Sequence, residues 1–237
     1  MTEKSLTENK YWAVVPSAGV GQRMGAAVPK QYLEINNQAV IEYTLDCLLT
    51  HSEIDGLVMA MHPDDHCWAE ITVSAEKPLS IVNGGEERCH SVLNALSYLL
   101  QHVDANDWVL VHDAARPCLT HEDIDQLIDQ ASKDIGGILA VPVNDTMKMA
   151  DMEHHISATV DRDRLWRALT PQMFRLGKLH EALTQALAQN ALVTDEASAM
   201  ELAGYKPLLV KGRTDNIKIT CPEDLLLAEF YLQQLKR

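Results

Sequence analysis

Positive charge is scarce in this chain: 20 lysines and arginines stand against 34 aspartates and glutamates over 237 residues, a formal net charge of −14. That balance excludes nucleic acid and anionic membrane surfaces as expected partners, because both demand a basic face. Cysteine is sparse and unpatterned. Cys47, Cys67, Cys89, Cys118 and Cys221 are odd in number and lack any Cys-x-x-Cys spacing, which argues against a disulfide framework and a zinc site and fits a reducing cytoplasm. No apolar run approaches bilayer-spanning length, and the N-terminus lacks a basic region followed by an apolar stretch. No repeat or low-complexity tract breaks the chain. The sequence therefore reads as one cytoplasmic domain, 1–237, whose 46% hydrophobic content is enough for a sizeable core.

Apolar runs at Tyr11 to Val15, Leu57 to Met61, Leu79 to Val82, Trp108 to Val111 and Ile138 to Val143 alternate with amphipathic stretches. Such alternation predicts an α/β fold, a mostly parallel, twisted, Rossmann-like sheet with helices on both faces. Helical spacing covers Ala39 to Leu49, Ser91 to Leu100 and Ile124 to Ser132. Thr220-Cys221-Pro222-Glu223 opens a last helix with a Thr/Glu capping box, and that helix is expected to pack on the sheet. One segment, about 144–163, is polar and lacks apolar periodicity. It is either a solvated hairpin or a projecting functional arm.

Residues 16–31 read Pro-Ser-Ala-Gly-Val-Gly-Gln-Arg-Met-Gly-Ala-Ala-Val-Pro-Lys-Gln directly after the first apolar run. Gly19, Gly21 and Gly25 allow peptide N–H groups of Ser17, Ala18 and their neighbours to approach an anion, and Arg23 and Lys30 add full positive charges. In so acidic a chain, two cations around a glycine loop point to an anionic ligand. The loop lacks the Gly-Lys-Ser/Thr ending of a P-loop and the Gly-x-Gly-x-x-Gly spacing of a dinucleotide fold, so neither a P-loop ATPase nor a dehydrogenase is indicated.

Further candidates follow other apolar runs. Asp113 stands at the carboxyl end of Trp108 to Val111, where ligands of open α/β sheets gather. It either binds a ligand or caps the turn through Asp113-Ala114-Ala115-Arg116, with Arg116 pairing to it or to the substrate. Gly84, Gly85 and Ser91 form a second glycine turn entering a helix. Arg88 opposes the macrodipole there and is expected to serve an anion or a carboxylate such as Glu86. Thr146 and Thr170 offer hydroxyl donors or act as caps, while Arg162 and Lys218 are either substrate-gripping cations or solvated charges. Thr194-Asp195-Glu196 reads as a structural cap. His62 and His66 show i, i+4 spacing without the glutamate-bearing helix of a zinc motif, and His112 reads as a core or strand-end histidine. No dedicated protein metal site is predicted.

Gly84-Gly85-Glu86-Glu87-Arg88-Cys89-His90-Ser91, Val111-His112-Asp113-Ala114-Ala115-Arg116-Pro117, Asp145-Thr146-Met147-Lys148, Leu169-Thr170-Pro171-Gln172, Thr194-Asp195-Glu196-Ala197 and Asn216-Ile217-Lys218, taken with the first loop, resemble the 2-C-methyl-D-erythritol 4-phosphate cytidylyltransferase family in order along nearly the whole chain. The resemblance implies cytidylyl transfer from CTP to 2-C-methyl-D-erythritol 4-phosphate in non-mevalonate isoprenoid precursor synthesis. It implies Mg²⁺ accompanying the CTP phosphates. Arg23 and Lys30 are implied to stabilise the transition state and departing pyrophosphate, Arg162 and Lys218 to grip the methylerythritol phosphate, and Asp113 to bind polyol hydroxyls. It also implies a homodimer in which the 144–163 arm helps close the other subunit's site. Transfer to another polyol phosphate, such as ribitol 5-phosphate, and a non-catalytic nucleotide-binding module are the competing readings. Ser17 departs from the family's usual alanine, and Cys89 and His90 fill variable positions.

Overall fold

A period of two, hidden inside the continuous apolar runs, decides the architecture. Ala13 and Val15 bury against one layer of helices, and Val14 between them buries against the other. Leu57, Met59 and Met61 alternate with Val58 and Ala60, and Trp108 and Leu110 with Val109 and Val111. Strands apolar on both faces need helices on both faces.

The computed structural model describes residues 9–19, 28–73 and 76–235. The chain runs through β1 (Tyr11–Pro16), β2 (Glu34–Ile35), β3 (Gln38–Ala39), α1 (Val40–Thr50), β4 (Ile54–Met61), β5 (Leu79–Asn83), α2 (Arg88–Leu100), β6 (Trp108–Val111) and α3 (His121–Ala131). It continues through β7 (Gly136–Pro142), β8 (Met147–Ala150), β9 (Ile156–Val160), β10 (Trp166–Arg175), α4 (Leu176–Ala188), α5 (Glu196–Leu202), β11 (Leu208–Lys211) and α6 (Pro222–Leu235). Among the described residues one sheet has seven strands in the order β11-β7-β10-β6-β1-β4-β5. All its pairs are parallel except the two made by β10. Helices α1 and α3 cover one face through Ile41, Leu45, Leu48, Ile124 and Leu127, and α2 and α4 cover the other through Val92, Leu96, Leu99, Leu179 and Leu183.

The apolar runs hold as strands and the amphipathic stretches as helices. The strand expected from Ile138 begins two residues earlier, where Gly136 and Gly137 pair with Phe174 and Met173 of β10; glycine permits this at 136, with φ +128° and the place of a Cβ 2.3 Å from the Met173 carbonyl oxygen. The last helix is corrected in two ways. Its start is capped by Asp224, whose Oδ2 accepts from the Thr220 and Cys221 amides at 2.7 and 3.0 Å, and not through Glu223. It also does not lie on the sheet: Ala228 and Leu232 pack with Ile35, Val40, Ala115, Cys118 and Ile219, sealing the segment that leads into α6. Strands β8 and β9 pair only with each other, as an exposed hairpin apart from the main sheet. No described helix is long and apolar enough to cross a membrane.

Candidate active site

Parallel β1, β4 and β6 end side by side, so the loops leaving them meet at one edge, the place where open α/β sheets collect ligands. Two amides extend the ladder past the strand ends: Ser17 N donates to Ala60 O at 2.7 Å and Gly84 N to Met61 O at 2.6 Å. They draw the loop after β1 against the loop after β5. A Cβ on Gly84 would come within 2.3 Å of Ala18 Cβ, so glycine permits that contact. Gly85 N donates to Ser91 Oγ at 3.0 Å, and the same hydroxyl donates to Glu87 O at 3.2 Å, which holds the second loop to the start of α2. Buried Gln31 donates to Ser17 O at 3.0 Å and holds the first. Between the loops lies a cavity of about 420 Å³ whose wall includes Lys30, Asp113, Lys218 and Thr220. Its size is that of a small-molecule site.

Charge is concentrated on its floor. The Asp113 carboxylate, 6% exposed, receives Arg88 Nε at 2.9 Å on Oδ1, and Arg116 Nε at 3.2 Å and Lys218 Nζ at 3.0 Å on Oδ2. Burial pushes the Asp113 carboxyl up, but Arg88, Lys218 and Arg116 outweigh it and hold the group far below the usual carboxylate range. Arg88 turns its other nitrogens to buried Glu196 in a bidentate pair at 2.7 and 3.1 Å. Burial disfavours the Arg88 charge, and Glu196 and Asp113 more than restore it. Three cations against the two carboxylates of Asp113 and Glu196 leave this cluster an excess of one positive charge at the edge of the cavity. Lys30 Nζ reaches the same space and donates to Ile219 O at 3.0 Å. An anion with several phosphate oxygens suits this wall.

Behind Asp113 runs a relay of hydrogen bonds. Asp113 N donates to Thr170 Oγ1 at 3.2 Å, Thr170 Oγ1 lies 3.0 Å from His112 Nδ1, and His112 Nε2 lies 3.2 Å from Arg116 O. The carbonyl can only accept, so Nε2 carries the proton and Nδ1 accepts from the threonine hydroxyl. Asn216, fully buried, donates to Thr170 O at 2.8 Å and accepts from Arg116 through its own carbonyl at 2.8 Å. Burial lowers His112 to about 4, with the Arg116 carbonyl and Asp113 pulling it partly back. Because this folded value lies below the ordinary 6.5, the unfolded chain takes up the proton first as pH falls. Stability from neutral His112 is complete above about pH 6.5 and drains away toward about pH 4, roughly 3 kcal/mol in all. Denaturant midpoints measured across that window should fall with acid in the wild type and fall less in His112→Gln. Equal slopes in the two proteins would remove His112 as the titrating group.

Of the residues expected from sequence, Ser17, Ala18, Gly19, Lys30, Gly85, Ser91, Asp113 and Lys218 line the cavity together. Gly84 supports it from the loop, and Arg116 and Thr170 contact Asp113 from behind. Thr146 and Arg162 do not line it. They flank the β8–β9 hairpin, with Arg162 hydrogen-bonded to Asn144 O. Arg23, Gly21 and Gly25 lie outside the described residues. Two expectations are corrected. The carboxylates of Arg88 are Asp113 and Glu196, not Glu86, and Glu196 is no mere cap residue, although Asp195 does cap α5 by accepting from Ser198 N at 2.9 Å. The Ser17 hydroxyl is buried on the cavity wall without a hydrogen-bond partner among the described residues. Asn216 escaped individual notice because an asparagine in a loop carries no sequence mark of burial.

The 2-C-methyl-D-erythritol 4-phosphate cytidylyltransferase family model matches residues 11–234. A relative of that name from Pseudomonas aeruginosa is 53% identical over 218 residues, 91% of this chain and 93% of its own length. Another from Shewanella halifaxensis is 52% identical over 230 residues, 97% of this chain and 98% of its own. A crystal structure of 4-diphosphocytidyl-2C-methyl-D-erythritol synthase superimposes with a TM-score of 0.82 at 39% identity, covering 95% of this chain and 99% of that one.

Proposed function

The chain belongs to the 2-C-methyl-D-erythritol 4-phosphate cytidylyltransferase family, and from that membership we propose how its cavity carries out the transfer. The enzyme moves a cytidylyl group from CTP to 2-C-methyl-D-erythritol 4-phosphate in isoprenoid precursor synthesis and releases pyrophosphate. A phosphate oxygen of the acceptor attacks the α-phosphorus, the bond to the β-phosphate breaks, and negative charge grows on the non-bridging and leaving oxygens. The acceptor phosphate is already anionic near neutral pH, so the work is alignment and charge stabilisation.

The observation that carries the reading is the cluster of Arg88, Arg116 and Lys218 on Asp113, with Lys30 in the same cavity between two touching loops. Lys30, with Arg23 from the glycine loop, stabilises the charge on the departing pyrophosphate. Lys218, held by Asp113, meets the acceptor phosphate, and Asp113 orients acceptor hydroxyls. The backbone of Ser17 to Gly19 follows the triphosphate, and the Gly84-Gly85 turn with Ser91 holds the base. Asp113 is taken up by its three cations, so the carboxylate of Glu86 on the same wall is the hard oxygen donor that would suit a Mg²⁺ entering with CTP, which when bound would offset phosphate charge. Thr146 and Arg162 act from the arm. Met149, Met152 and Ile156 on the hairpin are 56%, 98% and 69% exposed, and their burial against a second copy in a homodimer would bring Arg162 to that copy's cavity.

Pyrophosphate release tests the reading. With CTP and Mg²⁺, release should depend on 2-C-methyl-D-erythritol 4-phosphate and exceed that with ribitol 5-phosphate or with no acceptor. Equal release with ribitol 5-phosphate would mean that Asp113 and Lys218 do not select the acceptor.

A further inference from the structure

Away from the cluster on Asp113, the start of α2 gathers three donors of different chemistry. Glu87, Cys89 and His90 each present one ligand atom, all within 4.8 Å of one another. The Cys89 thiol, on a residue 6% exposed, donates toward Glu87, with Sγ 3.6 Å from Oε2. His90 Nδ1 is enclosed by protein and has no hydrogen-bond partner among the described residues. An enclosed ring nitrogen without a partner is costly, and a bound ligand relieves that cost. The local chain explains the gathering. Glu87 is the extended N-cap residue, Cys89 and His90 occupy the first turn, and the Gly85 backbone lies so close to His90 that a Cβ there would come within 2.4 Å of its Cβ.

We propose that Glu87, Cys89 and His90 form a site for one borderline-soft divalent cation, with Zn²⁺ the best match. Thiolate and imidazole select Zn²⁺ over Mg²⁺, which prefers oxygen alone, so the site is distinct from the Mg²⁺ that accompanies CTP. Ligand atoms around a tetrahedral zinc stand roughly 3–4 Å apart, and side-chain rotation supplies the remaining closure. The metal replaces the thiol proton now directed at Glu87. Glu87 and Cys89 face a side cavity of about 160 Å³ shared with Val193, Thr194 and Asp195, which gives an entry path. Asp195 does not supply a fourth ligand, since Oδ1 accepts from Ser198 N at 2.9 Å and Oδ2 from Gln172 Nε2 at 2.8 Å. The fourth position is left to water. Neighbouring Arg88 is committed to Asp113 and Glu196 and does not oppose the cation. Glu87 also lines the nucleotide cavity, so the metal stands at its rim. Only the turn into α2 brings the three together.

The test is titration of the purified, nucleotide-free protein with Zn²⁺, and with Co²⁺ as its spectroscopic substitute. One equivalent of Zn²⁺ should bind, and Co²⁺ should show sulfur-to-metal charge-transfer absorption. Both signals should weaken by more than about tenfold in Cys89→Ser and in His90→Asn, and persist in Cys221→Ser. His90 is partly exposed, so His90→Asn decides the matter alone if Cys89→Ser does not fold. Absence of binding, or binding that His90→Asn leaves unchanged, would overturn the proposal.

Discussion

Lys30→Ala should lose about 100-fold or more in turnover while its affinity for CTP falls by less than about tenfold, the asymmetry expected when a charge counts most in the transition state. Lys30 Nζ donates to the Ile219 carbonyl at 3.0 Å, which positions the ammonium at the cavity. As the bond to pyrophosphate breaks, charge grows on oxygens that this ammonium can meet, whereas ground-state CTP is also held by loop amides. Lys30→Arg should recover only part of the rate, since a planar fork cannot occupy the position of a compact point charge. Single-turnover rates and CTP dissociation constants check both statements, and an unchanged rate in Lys30→Ala would remove the residue from the mechanism. Mixed dimers of Lys30→Ala with Arg162→Ala extend the same experiment, because shared sites would restore activity at one of the two cavities.

Arg88→Ala should destabilise the protein by about 3–5 kcal/mol, the cost of leaving buried charge without its partner. Arg88 is the only guanidinium recorded against Glu196 among the described residues, and Glu196 is 1% exposed. Asp113 keeps Arg116 and Lys218, so the greater harm falls on Glu196. That carboxylate then takes up a proton more readily, and the deficit should shrink as the solution is acidified below neutrality. Replacing both ends, as Arg88→Met with Glu196→Met, should recover much of the loss, since an apolar pair of similar volume avoids an orphaned ion. Urea unfolding at neutral and mildly acid pH measures all three effects. A deficit under about 1 kcal/mol in Arg88→Ala, or one indifferent to pH, would show that the pair does not hold the two elements together.

The sequence made the parallel core readable because each buried strand is a continuous apolar run, and it brought Lys30 into view because a cation beside a glycine loop stands out in so acidic a chain. β10 was not readable. Arg167, Thr170, Pro171 and Gln172 interrupt its apolar character, yet Gln172 is buried because it donates to Asp195 and accepts from the Ala197 amide at 2.8 Å. A strand whose polar side chains are satisfied by a distant helix start has no local signature. The same limit applies to Arg88, whose carboxylate partner Glu196 lies 108 residues away. Four-residue β11 was too short for its pattern to register. At Asp113, by contrast, position at a strand end placed the residue at the ligand edge, because parallel topology alone delivers that end there, while the choice between ligand contact and turn cap stayed open.

The segment before α6 closes the cavity with contacts that reach far back along the chain: Lys30 meets Ile219 at a separation of 189 residues, and Arg116 meets Asn216 at 100. Synthesis runs from the N-terminus, so most of the sheet and its covering helices exist before residues 216–220 are made. A chain still being translated can therefore possess a nearly finished core and no working pocket. Catalytic competence is expected only once residues 216–220 are in place, so a truncation before them should spare most of the core and abolish activity.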